Sequence, residues 1–252
     1  MSSPVETLYS TPGTYVYTVP AGVTSLVVEC IGAGGAGGSM NRTITSNYGV
    51  GGGGGGAYAS STLTVTPGAT YSIIVGAGAQ PSTTVTFPGK GGSSSFIQGA
   101  TSLVMADSGN TPSLNTNGAA PTNGGTRGSA LVSIGTIKYD GGWGQGGATL
   151  GFASGGGGGA AGRGGVGQPT VQNGTRVSTG GVGSTPGGDG GSGRANPPAT
   201  GGVGFPGLSY GGGGGGCWSG NQKVLLGGNG ANGVVIITYT PNIETCYFVL
   251  ID

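Results

Sequence analysis

Apolar and polar residues alternate over short stretches of this chain, and nowhere do apolar residues repeat at a helical spacing. Residues 15–19 (Tyr-Val-Tyr-Thr-Val) alternate and stop at a Pro-Ala-Gly turn. Ser25–Ile31 is apolar enough for a central strand. Residues 57–65 and 71–75 flank Thr66-Pro67-Gly68, a turn sequence, and the spacing predicts a hairpin. Shorter strands are expected at 93–97 and 102–106, and a weak one over 130–139. Val234–Tyr239 carries the strongest signal, with β-branched residues almost throughout, and Pro241 ends it. A last apolar run, Tyr247, Phe248, Val249, Leu250 and Ile251, follows. The pattern therefore predicts an all-β protein, a β-sandwich frame with essentially no α-helix. Residues 107–128, rich in Asn, Thr, Pro and Gly, read as a surface loop.

Between 141 and 233 the alternation gives way to glycine. Runs of five and six occur at 155–159 and 211–216, and glycine recurs every third residue at Gly156, Gly159, Gly162 and Gly165, at Gly187, Gly190 and Gly193, and at Gly227, Gly230 and Gly233. Three is the period of the extended polyproline II helix, whose N–H and C=O groups all point outward. A flexible linker is one explanation. The other is a bundle of polyglycine helices that satisfy one another's backbones, which only glycine lets approach closely enough. Ordering glycine costs about 1–2 kcal/mol per residue, so a bundle needs this return. A structureless excursion of that length inside a domain is implausible. The expected organisation is one domain over 1–240, with the β frame at about 10–139 plus 234–240 and the bundle at about 141–233, followed by a tail at 241–252.

Composition narrows function mostly by exclusion. The 252 residues include 66 Gly and no His, only 6% are charged, and the net charge is +1. Scattered Lys and Arg give no footprint for nucleic acid or anionic lipid, and no apolar run is long enough to span a membrane. Without histidine the commonest general base and metal ligand is missing, and the seven acids stand singly. No enzyme activity, cofactor or metal is expected. Cys30, Cys217 and Cys246 follow no disulfide or zinc spacing. The opening MSSPVETLYS lacks the basic and apolar regions of a secretory leader, so synthesis in a cytoplasm without ordinary export is expected.

Two motifs fail on context. Gly32-x-Gly34-x-x-Gly37 follows a strand as a dinucleotide fingerprint would, but no helix can follow it and no acid lies between Glu29 and Asp107. Pro88-Gly-Lys90-Gly resembles a phosphate loop, but Thr84 stands where that loop needs glycine and Gly91 where it needs Ser or Thr. What remains are aromatics in or beside the glycine field: Trp143, Phe152, Phe205, Tyr210 and Trp218. Each could stack on a sugar or anchor a protein contact, or could pack against the frame where glycine supplies no side chain. Trp143, Phe152, Tyr210 and Trp218 are the candidate receptor contacts. The apolar run 247–251 is a candidate assembly strand, added to a neighbour's sheet or folded back on its own.

The ordered set of residues 15–24 (YVYTVPAGVT), 27–35 (VVECIGAGG), 52–58, 62–71 (TLTVTPGATY) and 230–239 (GANGVVIITY) resembles the glycine-rich domain family common in bacteriophage tail proteins. The resemblance implies a jelly-roll or tumour-necrosis-factor-like sandwich with inserted polyglycine helices, as in adhesins of some phage tail-fibre tips, where loops between glycine stretches bind the host receptor. It implies a virion protein at a tail fibre or surface appendage, with other virion proteins, a host surface glycan or an outer-membrane protein as partners, and a homo-oligomer, a trimer by preference. The alternative is a non-viral structural or ice-binding surface protein using flat polyglycine faces.

Overall fold

The computed structural model describes residues 2–41, 49–84, 89–112, 115–116, 123–147, 154–170, 172–173, 177–194, 200–220 and 224–242. In chain order the strands are β1 (Val5–Tyr9), β2 (Gly13–Thr18), β3 (Ser25–Ile31), β4 (Met40–Asn41), β5 (Tyr58–Thr64), β6 (Thr70–Val75), β7 (Ser94–Gln98) and β8 (Thr101–Ala106). They continue with β9 (Asn115–Thr116), β10 (Ile137–Tyr139), β11 (Gln172–Asn173), β12 (Val177–Ser178), β13 (Thr200–Gly202), β14 (Trp218–Gly220), β15 (Val224–Leu225) and β16 (Val234–Tyr239). No helix occurs among the described residues.

Two antiparallel sheets form the frame, one in the order β1-β16-β3-β5-β10 and the other β2-β6-β7-β8. They face each other across one apolar core. Period-two alternation decides which side chains enter it: Leu26, Val28 and Cys30 from β3, Tyr71, Ile73 and Val75 from β6, Phe96 from β7, Val104 from β8, and Val235 and Ile237 from β16. Phe96 is the hub, stacked on Tyr71 at 4.7 Å and edge-on to Tyr17 at 6.3 Å. Each fully buried large side chain contributes about 1.5–3 kcal/mol.

The predicted hairpin does not form. β5 pairs with β3 and β10, whereas β6 pairs with β2 and β7. The Thr66-Pro67-Gly68 turn carries the chain from one sheet to the other, because the apolar faces of the flanking strands each need the core between the sheets. β1, which the pattern did not announce, closes the first sheet by pairing with β16.

At one end of the frame the strands run directly into glycine segments: 32–38 leaves β3, 50–57 enters β5, 76–79 leaves β6, 89–92 enters β7, 107–112 leaves β8 and 227–233 enters β16. These join segments 123–128, 141–145, 154–161, 167–170, 180–184, 187–193, 204–208 and 211–217 in a side-by-side array. Outside short bridges and turns the segments are neither strand nor helix.

Segment 50–57 shows the rule. The N–H groups of Val50, Gly53 and Gly56 donate to the carbonyls of Cys217, Gly214 and Gly211. Those of Gly52 and Gly55 donate to Gln145 and Gly142, and those of Gly54 and Ala57 to Asn110 and Asp107. Its carbonyls rotate likewise: 51, 54 and 57 accept from Gly38, Gly35 and Gly32, 52 and 55 from Gly125 and Gly128, and 50, 53 and 56 from Gly155, Gly158 and Ala161. Every third residue thus addresses the same neighbour, and six segments enclose this one. Segments 154–161 and 211–217 are enclosed in the same manner. The three bond one another in a closed triangle, Gly53 N–H to Gly214, Gly213 N–H to Gly158 and Gly158 N–H to Gly53, at 2.8, 2.9 and 2.9 Å. A Cβ on Gly53, Gly158 or Gly213 would fall nearer than 3.0 Å to a neighbour's backbone, so a residue with a side chain cannot occupy these positions without displacing a whole segment.

Two expectations change here. The paired glycines are not confined to 141–233, since 32–38 and 50–57 stand at the heart of the array. Nor is 107–128 a loop throughout: residues 107–112 and 123–128 are array segments, with Asp107, Ser108 and Gly109 buried. Polar residues fit there because these are boundary segments, where one row in three points to solvent.

The array also packs sideways on the outer face of the five-stranded sheet. Ala160 and Ala161 lie against Ile31, Tyr58, Val234 and Ile236. Beyond them Arg163 reaches over the sheet. Its Nε donates to both carboxylate oxygens of Glu29 at 2.7 and 2.9 Å, its guanidinium reaches Glu6 at 3.1 Å, and the Tyr58 hydroxyl donates to Glu29 at 2.6 Å. Glu29 is buried and half of the Arg163 side chain is exposed. This pairing satisfies a carboxylate that burial would otherwise penalise.

Candidate functional site

The array has two distinct ends. Near the frame, it turns at Gly162–Gly165, at 184–187 and at 208–211. At the other end, Val50 meets Cys217, Gly38 meets Gly51, Ser154 meets Arg194 and Gln145 meets Gly156, so the segments finish at one level. Both anchors of six connections sit at that far end: Asn41 and Gly49, Thr84 and Gly89, Pro112 and Asn123, Gly147 and Ser154, Arg194 and Thr200, Gly220 and Val224. The connection 129–136 instead stays at the frame, where Ile134 bridges Met105 and Thr136 N–H donates to the Ser60 carbonyl. Short ladders brace it: β4 between β15 and β9, β11 with β12, and β13 with β14. Below them Met40, Val50 and Cys217 form a small buried cluster with Leu225. Burial pushes the Cys217 thiol up to about 12, and its Sγ donates to the Leu225 carbonyl at 3.6 Å.

The predicted aromatics separate on this geometry. Trp143 is exposed on the array's flank, and the Arg127 guanidinium lies 5.4 Å from its ring centroid while pairing with Asp140 at 2.7 Å. Phe205 is exposed on another flank with Arg194 over its ring at 5.4 Å. Tyr210 is half-buried against the cluster that joins array and sheet, at the frame end. Trp218 is corrected: it is 1% exposed and cannot meet a ligand, because it follows directly on an enclosed segment. Phe152 and the run 247–251 lie outside the described residues.

Neither nucleotide-like motif builds a phosphate site. Gly32, Gly34 and Gly37 donate to Ala57, Ala231 and Gly228, so their amides are spent within the array. Lys90 pairs with Asp107 at 3.1 Å. No cluster of three metal-ligating side chains occurs among the described residues.

What sequence reasoning missed is a groove of about 250 Å³ between segments 107–112 and 123–128, lined by Asn110, Thr111, Pro112, Asn123, Gly124, Gly125 and Thr126. Its signal was the Asn- and Thr-rich composition of that stretch, which a loop explains equally well.

A sequence model of the glycine-rich domain family matches residues 10–240. The chain belongs to that family. No curated protein matches it. The family match therefore spans the array and all of the two-sheet frame of this glycine-rich domain except β1, and supplies no residue roles.

Proposed function

We propose that this glycine-rich domain is a bacteriophage virion protein at a tail fibre or other surface appendage, made in the host cytoplasm, and that it recognises a host receptor. In this reading the segments are polyglycine type II helices, the frame is a jelly-roll or tumour-necrosis-factor-like sandwich, and the connections between helices carry the recognition sequence. One observation supports it above the rest: the anchors of six connections gather at the end of the array opposite the frame. The helices' mutual hydrogen bonds hold those anchors fixed whatever sequence joins them. A host surface glycan or outer-membrane protein is the partner, the chain assembles as a homotrimer, and the run 247–251 adds to a neighbouring sheet.

The experiment exchanges connections. Replacing residues 148–153 and 195–199 with Gly-Ser sequences of equal length leaves thermal unfolding in place and abolishes adsorption of the purified protein to host cells. Adsorption unaffected by every such exchange would overturn the reading. Deleting 242–252 leaves a folded monomer; a truncated chain that still assembles removes the tail from that role.

A further inference from the structure

We propose that the groove between segments 107–112 and 123–128 is a binding subsite for one ring of a neutral saccharide, with Trp143, one segment beyond, as an aromatic shelf for the adjoining ring. The inference rests on the receptor-binding reading and gives it a ligand class and a place. The walls are preformed. Asn110 N–H donates to the Thr126 carbonyl at 2.8 Å, and Gly125 N–H to Gly52 at 2.8 Å, so the two segments cannot drift apart without breaking the array. A rigid site loses little to ordering when a ligand arrives.

The lining selects the chemistry. It consists of amide, hydroxyl and backbone groups with no ionisable side chain. The neighbouring cations, Arg127 next to Thr126 and Lys90 bridged to Asn110, already pair with Asp140 at 2.7 Å and Asp107 at 3.1 Å, so an anion gains little attraction. Asn110 Nδ2 donates to Thr126 Oγ1 at 2.5 Å; the Asn110 carbonyl oxygen, its second amide proton and the Thr126 hydroxyl proton remain for a polyhydroxyl ligand. The volume falls below the 300–1,000 Å³ usual for drug-sized ligands, which suits one ring of a longer chain.

Trp143 stands alongside. Gly144 N–H donates to the carbonyl of Gly125, a lining residue, at 3.1 Å. Arg127, next in sequence to Thr126, lies over the Trp143 ring. Ring, guanidinium, threonine and asparagine thus run across three adjacent segments about midway along the array, level with Gly53–Gly55. The half-exposed indole, with Arg127 over one face, has its other face for the apolar side of the adjoining ring of the chain while the hydroxyls of the ring in the groove are paired.

The chain has two tryptophans and one is buried, so an emission change on titration reports Trp143. The full chain is titrated with neutral hexose and N-acetylhexosamine oligosaccharides of four to six units, alongside sialylated counterparts. The expected result is a saturable emission shift with at least one neutral oligosaccharide. By calorimetry, Trp143→Ala should weaken that binding at least tenfold and Asn110→Ala about fivefold, with thermal unfolding unchanged for Trp143→Ala. Binding that both variants leave intact places the site elsewhere and overturns the inference. So does a preference for the sialylated forms, or no binding by a protein that still adsorbs to cells. Loss of adsorption altogether, with saccharide binding retained, instead overturns the receptor reading and leaves the subsite standing.

Discussion

The frame and the array fill their interiors in opposite ways. In the frame, side chains do the filling: Phe96, Leu26 and Ile73 are wholly buried between two sheets, and the backbone pairs only along the strands. In the array the backbone is the filling. Gly53, Gly158 and Gly213 are also wholly enclosed, but what surrounds them is the carbonyl groups of other segments. The first interior is held by area removed from water. The second is held by hydrogen bonds, each worth about 0.5–1.5 kcal/mol net, with weaker Cα–H···O contacts between neighbours. A side-chain interior has rotamers with which to absorb a change; a backbone interior has none.

The sharpest break of that comparison is a side chain inside the array. Gly158→Val and Gly213→Val should each cost more than 4 kcal/mol, beyond the range of most substitutions, because the neighbouring atoms are backbone of segments fixed on every side. Even Gly158→Ala should be severe. Gly204→Val, on the boundary segment 204–208, and Gly162→Val, in the turn where a side chain would meet the boundary segment 180–184, should cost less, since those segments can give outward. Urea unfolding of the set gives the order; equal costs for enclosed and boundary glycines would remove the distinction.

In the frame the largest effect should come from Phe96→Ala, about 3–5 kcal/mol, whereas Phe96→Leu should cost well under half of that through repacking. The contrast is the test. A frame that tolerates a change of shape beside an array that tolerates no added methyl group confirms two kinds of interior, and a Leu variant as damaged as the Ala variant would not.

How much of this was legible follows from the same physics. Ser25–Ile31 and Val234–Tyr239 announce themselves because β-branched side chains are what a buried strand needs. The partner of residues 58–64 did not, because Pro67-Gly68 signals a reversal without saying into which sheet. The period of three was readable in 141–233, yet Val50–Gly56 gave no hint that it sits at the centre: an unbroken glycine run carries no phase. Its six neighbours come from distant parts of the chain, and only the fold brings them together. At the candidate site, Trp143 was readable as a ring with no core to join, while Trp218 looked the same and is buried. The groove was hidden because Asn110 and Thr126 are loop-forming types whose array membership depends on a neighbour already in place.

The joint between the regions gives the next effect in size. Arg163 belongs to an array turn and Glu29 to β3. Arg163→Ala should cost about 1–3 kcal/mol, below the roughly 3–5 kcal/mol of breaking a fully buried pair, because the guanidinium is half in water. Adding Glu29→Gln should recover part of the loss, since a neutral amide needs no cation. A double-mutant cycle measures the coupling, and a coupling of zero would mean that the array docks through Ala160 and Ala161 alone.

The smallest effect is titration, and it asks whether the two regions unfold together. Burial raises Cys217 from 9.0 to about 12 in the array and Tyr17 from 10.0 to about 12 in the frame, and raises the Cys30 thiol as well. All three are neutral in the folded state and ionise more readily once unfolded. Their contribution is therefore complete below pH 9 and is lost as pH rises toward 12, first through the thiols and above pH 10 through the phenol. Each group adds a slope of up to about 1.4 kcal/mol per pH unit. Cys217→Ala should reduce the slope between pH 9 and 10 by one group's share, and Tyr17→Phe should act only above pH 10. If array and frame form one cooperative unit, Cys217→Ala changes the pH dependence of hydrogen exchange at the most protected frame amides, in β3 and β16, as much as at Gly53 and Gly158. If only the array amides respond, the array opens without the frame, and its backbone interior is the weaker of the two. Stability that does not change between pH 8 and 11 would contradict the burial of all three groups.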